Sequence, residues 1–292
     1  YVKENKIKCL GVEPTEKTAL EAEKKGIKIV KEFFSKDLVN KLKNEELVPE
    51  SGVDLLIANN VLAHVPNIND FIEGAKNILN SDGVFSVEFP HLLNLLKKNQ
   101  FDTIYHEHYS YLSLSFINRL SNRFGLYIFD VEEIPTHGGS LRVFMSKDKY
   151  KNKSENINKI LSYENDFEIE SFIPFETLQV NAERIKNQLL TFLLDSKVNN
   201  KLICGYGAAA KANTLLNFAG VKSDLIPFII DNAISKQNKY MPGSLIPIYS
   251  KEKLKEINIK NIIVFPWNIL DEISEALKNK NLYTFIPEFK KW

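Results

Sequence analysis

Cysteine is scarce in this chain: there are two, Cys9 and Cys204, far apart and with no C-x-x-C spacing. That excludes a cysteine zinc site within these residues and argues against a disulfide framework. Each lies in an apolar run (Ile7-Lys8-Cys9-Leu10 and Leu202-Ile203-Cys204) and is expected to be a small buried hydrophobe. No metal site is expected. An excess of charge is also missing. The net charge is +1, with no basic or acidic block, so nothing points to nucleic acid as a partner. No apolar run is long enough to cross a bilayer and none has the form of a signal peptide, so no membrane partner is expected and the cytoplasm is the expected compartment. Residue 1 is tyrosine, and a strand-like run begins almost at once, as if the chain opens within a fold. Sequence upstream is expected.

What remains is an ordinary globular composition, 44% hydrophobic and 26% charged, in a chain of 292 residues, enough for two domains. The first half alternates strand and helix. Ile7 to Pro14 reads as a strand ending in Glu13, Thr15 can cap a helix over 16–25, and 27–34 reads as a second strand. A helix over 37–46, a buried strand over Val53 to Asn59, a helix over 68–79 and a strand over 84–89 continue the pattern. Such alternation implies a parallel sheet covered by helices, with ligands beyond the carboxyl ends of its strands. Glu13 stands there and could accept hydrogen bonds from both ribose hydroxyls, or be a solvated acid before Pro14. Asn59 and His64 follow the third strand, and a lone histidine in such a position is more often structural.

The densest cluster of chemistry is Tyr105-His106-Glu107-His108-Tyr109-Ser110-Tyr111. Helical or extended, it sets an imidazole beside a carboxylate and a phenol, the parts of a general base with an orienting partner and an oxyanion donor. A polar loop with satisfied histidines is the alternative. Beyond it, Ser113 or Ser115 can cap a helix with Phe116, Leu120 and Phe124 on one face. Strands over 126–131 and 141–145 are joined by Ile134-Pro135-Thr136-His137-Gly138-Gly139-Ser140. Those paired glycines permit positive φ and close approach of a ligand, or simply a turn.

Residues 149–165 are polar and rich in lysine and asparagine, as suits a surface connection. A helix over 183–194 follows. Then Lys201 to Lys211 reads as strand, glycine turn and helix, with Gly205-x-Gly207-x-x-Ala210 fitting a loose dinucleotide fingerprint and Asp231 closing the next strand. A phosphate on the helix N-terminus, with Lys211 adding charge, is a sound reading of this stretch. Alternation continues through 262–265, 270–277 and 283–286.

Taken in order, Gly11-Val12-Glu13-Pro14, Ala58 to Pro66, Tyr105-His106-Glu107-His108, His137 to Arg142, Gly205 to Thr214 and Asp231-Asn232 give the chain its likeness. It resembles the sugar C-methyltransferases, which use S-adenosylmethionine to methylate a carbon next to the ketone of a thymidine-diphosphate-linked keto-deoxysugar. The resemblance implies an α/β fold: a partial Rossmann-like methyltransferase domain over 1–148, a connecting segment and helix over 149–195, and a smaller Rossmann-like nucleotide-sugar-binding domain over 196–292. The family's zinc module with paired C-x-x-C motifs, and its glycine-rich cofactor loop, have no counterpart in these residues.

The resemblance also assigns roles. His108 is implied to be the base that removes the proton alpha to the ketone, with Glu107 and Tyr105 orienting it or stabilising the enolate, and His64 adding a hydrogen bond. Glu13 is implied to hold the ribose of S-adenosylmethionine, and Asn59 to line its pocket. His137, Gly138, Gly205, Gly207, Ala209, Lys211 and Asn213 are implied to contact the nucleotide-sugar substrate. Two other readings compete: a truncated remnant that binds nucleotide-sugar without catalysis, and an NAD-dependent oxidoreductase built on the Gly205 turn.

Overall fold

A computed structural model describes residues 7–257 and 259–292. They form two compact α/β units that interleave along the chain. Of the described residues, unit 1 comprises 7–89, 109–134 and 140–164; unit 2 comprises 90–108, 135–139, 165–257 and 259–292. The contiguous division after residues 148 and 195 is therefore not the one seen. Residues 90–108 join unit 2 because Phe101 packs on Phe218 (centroids 5.4 Å apart) and Asn181 donates to Asn99 at 2.9 Å, and residues 135–139 join it with Gly138 against Trp267.

In unit 1, β1 (Leu10–Val12) and β2 (Lys28–Val30) pair in parallel around α1 (Glu16–Lys24). Helix α2 (Lys36–Asn44), with Ser35 Oγ accepting from the Leu38 amide at 3.1 Å, buries Leu38, Val39 and Leu42 against Val48 and Ile78. Strand β3 (Val53–Asn59) keeps its expected bounds but is not the buried strand expected, since Leu55 and Ile57 are exposed and only Ala58 is buried. It pairs in parallel with β4 (Leu79–Pro90), which follows α3 (Ile68–Ile78) directly. Helix α5 (Leu114–Arg123) leads to the antiparallel pair β5 (Tyr127–Ile134) and β6 (Ser140–Ser146). The second sheet runs β3-β4-β6-β5, so the single parallel sheet expected for the first half is instead two sheets, one of them mixed.

Several local expectations need correction. The buried face of α5 is Leu114, Ile117, Leu120 and Ser121, with Phe116 exposed. The polar stretch 149–165 contains α6 (Glu155–Asp166), whose Ile157 and Ile160 enter the core of unit 1. Cys9 is exposed, whereas Cys204 is buried and its thiol is pushed up to about 12 by burial.

Unit 2 holds α4 (Leu92–Lys97), the 26-residue α7 (Ile173–Val198) and a six-stranded sheet. Strands β7 (Ile203–Tyr206), β8 (Ile229–Ile230), β9 (Ile248–Tyr249), β10 (Asn261–Val264) and β11 (Asn281–Thr284) run parallel, and β12 (Lys290–Lys291) is antiparallel at one edge. Helices α8 (Ala210–Ala219), α9 (Lys253–Glu256) and α10 (Leu270–Ala276) complete it. The sheet order β12-β11-β10-β7-β8-β9 makes β7 and β10 neighbours from which the chain departs in opposite directions. That is the switch point at whose carboxyl ends ligands bind in such sheets.

Candidate functional site

The loops that leave β7 and β10 meet at this switch point. Gly207 has φ +91, and a Cβ there would lie 2.4 Å from Pro266 Cδ. Only glycine lets the two loops approach so closely. Gly207→Ala is expected to cost about 1–3 kcal/mol through left-handed strain and the clash. Gly220→Ala, at φ +68 with nothing within 4 Å, is expected to cost less, about 1 kcal/mol at the low end of left-handed strain, because no clash is added. Urea midpoints of the two variants check the difference.

Ala209 begins α8 with no side-chain cap, and the first turn of α8 carries no acid. The first-turn amides therefore have no carboxylate partner from within that turn, although the Asp231 carboxylate lies just before it on the Ala208 amide. Asp231 does not reach outward like a ribose-binding acid. Its Oδ2 accepts the Ala208 amide at 2.7 Å and its Oδ1 the Ala233 amide at 2.8 Å, with Lys236 Nζ at 3.3 Å from Oδ2. The acid is spent on bracing the turn. Gly205 is buried, and a Cβ on it would meet Phe265 at 2.6 Å. Asn213 accepts from Asn217 at 3.1 Å one turn further along α8.

Trp267, just beyond β10, organises the neighbourhood. Its Nε1 donates to Asp102 Oδ2 at 2.7 Å, and Lys211 Nζ lies 4.1 Å from the centroid of its ring. Lys211 also donates to Asn268 Oδ1 at 2.7 Å. Burial lowers the pKa of this lysine against the opposing pull of Asp102. Burial raises the Asp102 carboxyl to about 6, although the Trp267 hydrogen bond and the Lys211 charge both act to lower it. The loop Thr136–Gly138 closes on the same tryptophan. Gly138 has φ +88, and a Cβ there would sit 2.5 Å from the Trp267 ring. Gly138 O accepts from Lys98 Nζ and from Gln100 Nε2, each at 3.0 Å. Gly138 is thus pressed against the indole, whereas a Cβ on Gly139 (φ +121) would lie 2.5 Å from Asn94 Nδ2. His137 is exposed in left-handed geometry, φ 54.

Asp102 is the middle residue of the 3-10 turn Phe101–Thr103, and that turn also holds the histidine. His108 Nδ1 lies 3.0 Å from Thr103 O, and the Thr103 hydroxyl donates to Gln100 O at 2.7 Å. The chain folds back at once, with the His108 amide bonded to Tyr105 O at 3.0 Å. The Tyr105 and His108 rings pack with centroids 4.3 Å apart. A carbonyl oxygen can only accept, so Nδ1 carries the proton and the neutral ring has its lone pair on Nε2. The backbone carbonyl of Thr103 therefore holds the ring at Nδ1. Glu107 and His106 are exposed.

The remaining predicted residues belong to unit 1. His64 is exposed at the end of the 3-10 turn Leu62–His64, whose Ala63 O accepts the amides of Tyr109 (2.8 Å) and Ser110 (3.2 Å). The central heptad is thus divided between units, Tyr105–His108 in one and Tyr109–Tyr111 in the other. Glu13 is half-buried just past β1, and its Oε1 accepts the Thr15 amide at 2.7 Å. Asn59 ends β3, exposed. Its neighbour Asn60 is left-handed (φ 55), with a buried Oδ1 that has no hydrogen-bond partner among the described residues. Among those residues no cluster of histidine, cysteine and acid could hold a metal ion, and no helix is long and apolar enough to cross a membrane. Sequence reasoning missed Asp102, Thr103, Trp267 and Asn60. One signal was available: Trp267, one of two tryptophans, directly follows an apolar strand in Phe265-Pro266-Trp267-Asn268.

Residues 135–284 match the C-methyltransferase C-terminal domain family, and residues 1–131 match a methyltransferase domain family. The chain is 31% identical over 288 residues to the C-methyltransferase NovU of Streptomyces niveus, covering 96% of this chain and 67% of that protein. It is also similar to a methyltransferase structure from Thermotoga maritima, described as S-adenosylmethionine-dependent and a possible histamine N-methyltransferase. That match has TM-score 0.40 and 19% identity, over 50% of this chain and 76% of the other. A putative S-adenosylmethionine-dependent methyltransferase from Listeria monocytogenes matches with TM-score 0.39 and 13% identity, over 51% and 84% of the two chains. The chain belongs to the C-methyltransferase family.

Proposed function

We propose that the protein catalyses S-adenosylmethionine-dependent C-methylation of a keto-deoxysugar carried on a nucleoside diphosphate, thymidine diphosphate by the resemblance, in the cytoplasm. His108 is the base that removes the proton alpha to the ketone. The observation that carries this reading is the Nδ1 hydrogen bond to Thr103 O, which leaves Nε2 as the proton acceptor. A fixed tautomer suits a general base because no rearrangement precedes proton transfer. Tyr105, packed on the same ring, supplies the hydroxyl for the enolate oxygen. In unit 2 the uncapped α8 terminus, Gly205, Gly207 and Lys211 suit a diphosphate, with Ala209, Asn213, His137 and Gly138 around it.

The residues of unit 1 suit the methyl donor. Glu13 Oε1 is taken by Thr15, which leaves Oε2 for a ribose hydroxyl, and the orphaned Asn60 Oδ1 beside Asn59 wants a donor. When bound, S-adenosylmethionine supplies an electrophilic methyl group to the carbon that His108 has deprotonated. His64, Glu107 and their neighbours add polar groups around these sites.

An oxidoreductase reading gains nothing from Asp231, whose carboxylate is committed to the Ala208 and Ala233 amides. Calorimetric titration separates the two. S-adenosylhomocysteine and thymidine diphosphate are each expected to bind, and NAD is not. Tight NAD binding with no response to the sulfur compound would overturn the assignment.

A further inference from the structure

The pair Asp102 and Trp267 has no role in the chemistry above, yet it lies between the two groups that do. Asp102 is 2% exposed, and its Oδ1 has no hydrogen-bond partner among the described residues. A carboxylate is costly to bury unless it is hydrogen-bonded and paired with a cation. The cation that acts on it is Lys211, and the connection runs through an indole: Asp102 Oδ2 accepts the Nε1 hydrogen, and the Lys211 ammonium sits over the face of the same ring. An anion pulling on the indole N–H makes the ring face more negative, which strengthens its hold on a cation. Asn268 fixes the ammonium from another side at 2.7 Å.

We propose that Asp102 is a positioning residue that acts through Trp267 to hold the Lys211 ammonium where it receives the diphosphate of the sugar nucleotide. This inference rests on the function proposed above and deepens it. The long lysine side chain would otherwise be free to sample several rotamers, and fixing it in advance removes that entropy from binding. The same short turn carries Thr103, whose carbonyl holds His108. One rigid segment therefore sets both the phosphate lysine and the base.

The test uses thymidine diphosphate binding, measured by calorimetry, with no methyl donor and no turnover involved. Asp102→Asn keeps an acceptor for the indole but removes the charge, and Trp267→Phe keeps the ring but removes the N–H. Each is expected to weaken binding about tenfold. Lys211→Met is expected to weaken it at least as much. The double variant Asp102→Asn/Lys211→Met should be no weaker than Lys211→Met alone, because the acid acts only through the lysine. In a Trp292→Phe background, emission from Trp267 should shift on adding thymidine diphosphate, and Lys211→Met should abolish the shift. Undiminished binding in Asp102→Asn beside a defective Lys211→Met overturns the relay, as do losses that multiply in the double variant. If Lys211→Met binds normally, the relay fails while the function stands, provided that the unaltered protein still exchanges the sugar's alpha proton into heavy water. If the unaltered protein neither binds the diphosphate nor exchanges that proton, the function itself is refuted and the relay with it.

Discussion

His108→Asn is expected to lower the rate of methyl transfer by about 100- to 10,000-fold, the usual contribution of a positioned general base. Asparagine is the informative replacement. Its amide N–H can still reach toward Thr103 O, 3.0 Å from Nδ1 in the native ring, while nothing basic remains at the Nε2 position. Binding of the sugar nucleotide should stay within about threefold of the native value, because the change touches a proton acceptor and not the phosphate crevice. Proton abstraction can be read without the methyl donor. The native protein is expected to wash the alpha proton of the keto-sugar into heavy water, and His108→Asn should lose that exchange in proportion to turnover. Nitrogen chemical shifts of the native imidazole should report the Nδ1–H form. Undiminished exchange in the variant would remove His108 from the role of base. Tyr105→Phe is expected to retain exchange at a reduced rate, since an enolate donor assists the step without taking the proton.

Much of this layout follows from local pattern. Strand β3 keeps its bounds because the apolar run Leu55 to Ala58, set between Gly52 and Asn60, has one sensible reading. The Gly207 turn and α8 follow from glycine spacing and an apolar strand. What local pattern does not contain is the partner of a buried charge. Asp102 and Trp267 are 165 positions apart, and only folding shows that one satisfies the other. The interleaved units are illegible for the same reason. Residues 90–108 look continuous with the strand before them, and the side chains that claim them, such as Phe218 and Asn181, come more than 80 positions later. Helix α6 was hidden by composition: a 3.6-residue stripe as narrow as Ile157, Ile160 and Glu164 is masked by the surrounding lysines and asparagines.

Glu164 carries the largest expected effect on stability, and it too is defined by a distant partner. It is fully buried on α6, and its carboxylate caps the start of α5, fifty positions earlier. Oε1 accepts the Leu114 amide at 2.6 Å, Oε2 accepts the Ser115 amide at 2.8 Å, and the Ser115 hydroxyl also donates to Oε2. Ser113, the residue at the cap position, serves a different amide, that of Phe116 at 3.1 Å. Two devices thus satisfy the exposed N–H groups of one helix end, and the buried acid additionally complements the positive end of the helix. Glu164→Ala leaves the Leu114 and Ser115 amides and a hydroxyl without their acceptor, in a place that water does not readily enter. Charge-assisted bonds to buried donors contribute more than neutral ones, so the expected loss is about 3 kcal/mol. For a chain of this size that corresponds to a fall in melting temperature of roughly 6–12 °C. Glu164→Gln should cost less, since its single amide oxygen still accepts from one of the three donors while its NH2 opposes another. Urea unfolding followed by circular dichroism would show the midpoint falling with the slope unchanged if only stability is affected. A shift below about 0.5 kcal/mol in Glu164→Ala would mean that water replaces the acid at the helix end, and the cap would then be structurally incidental.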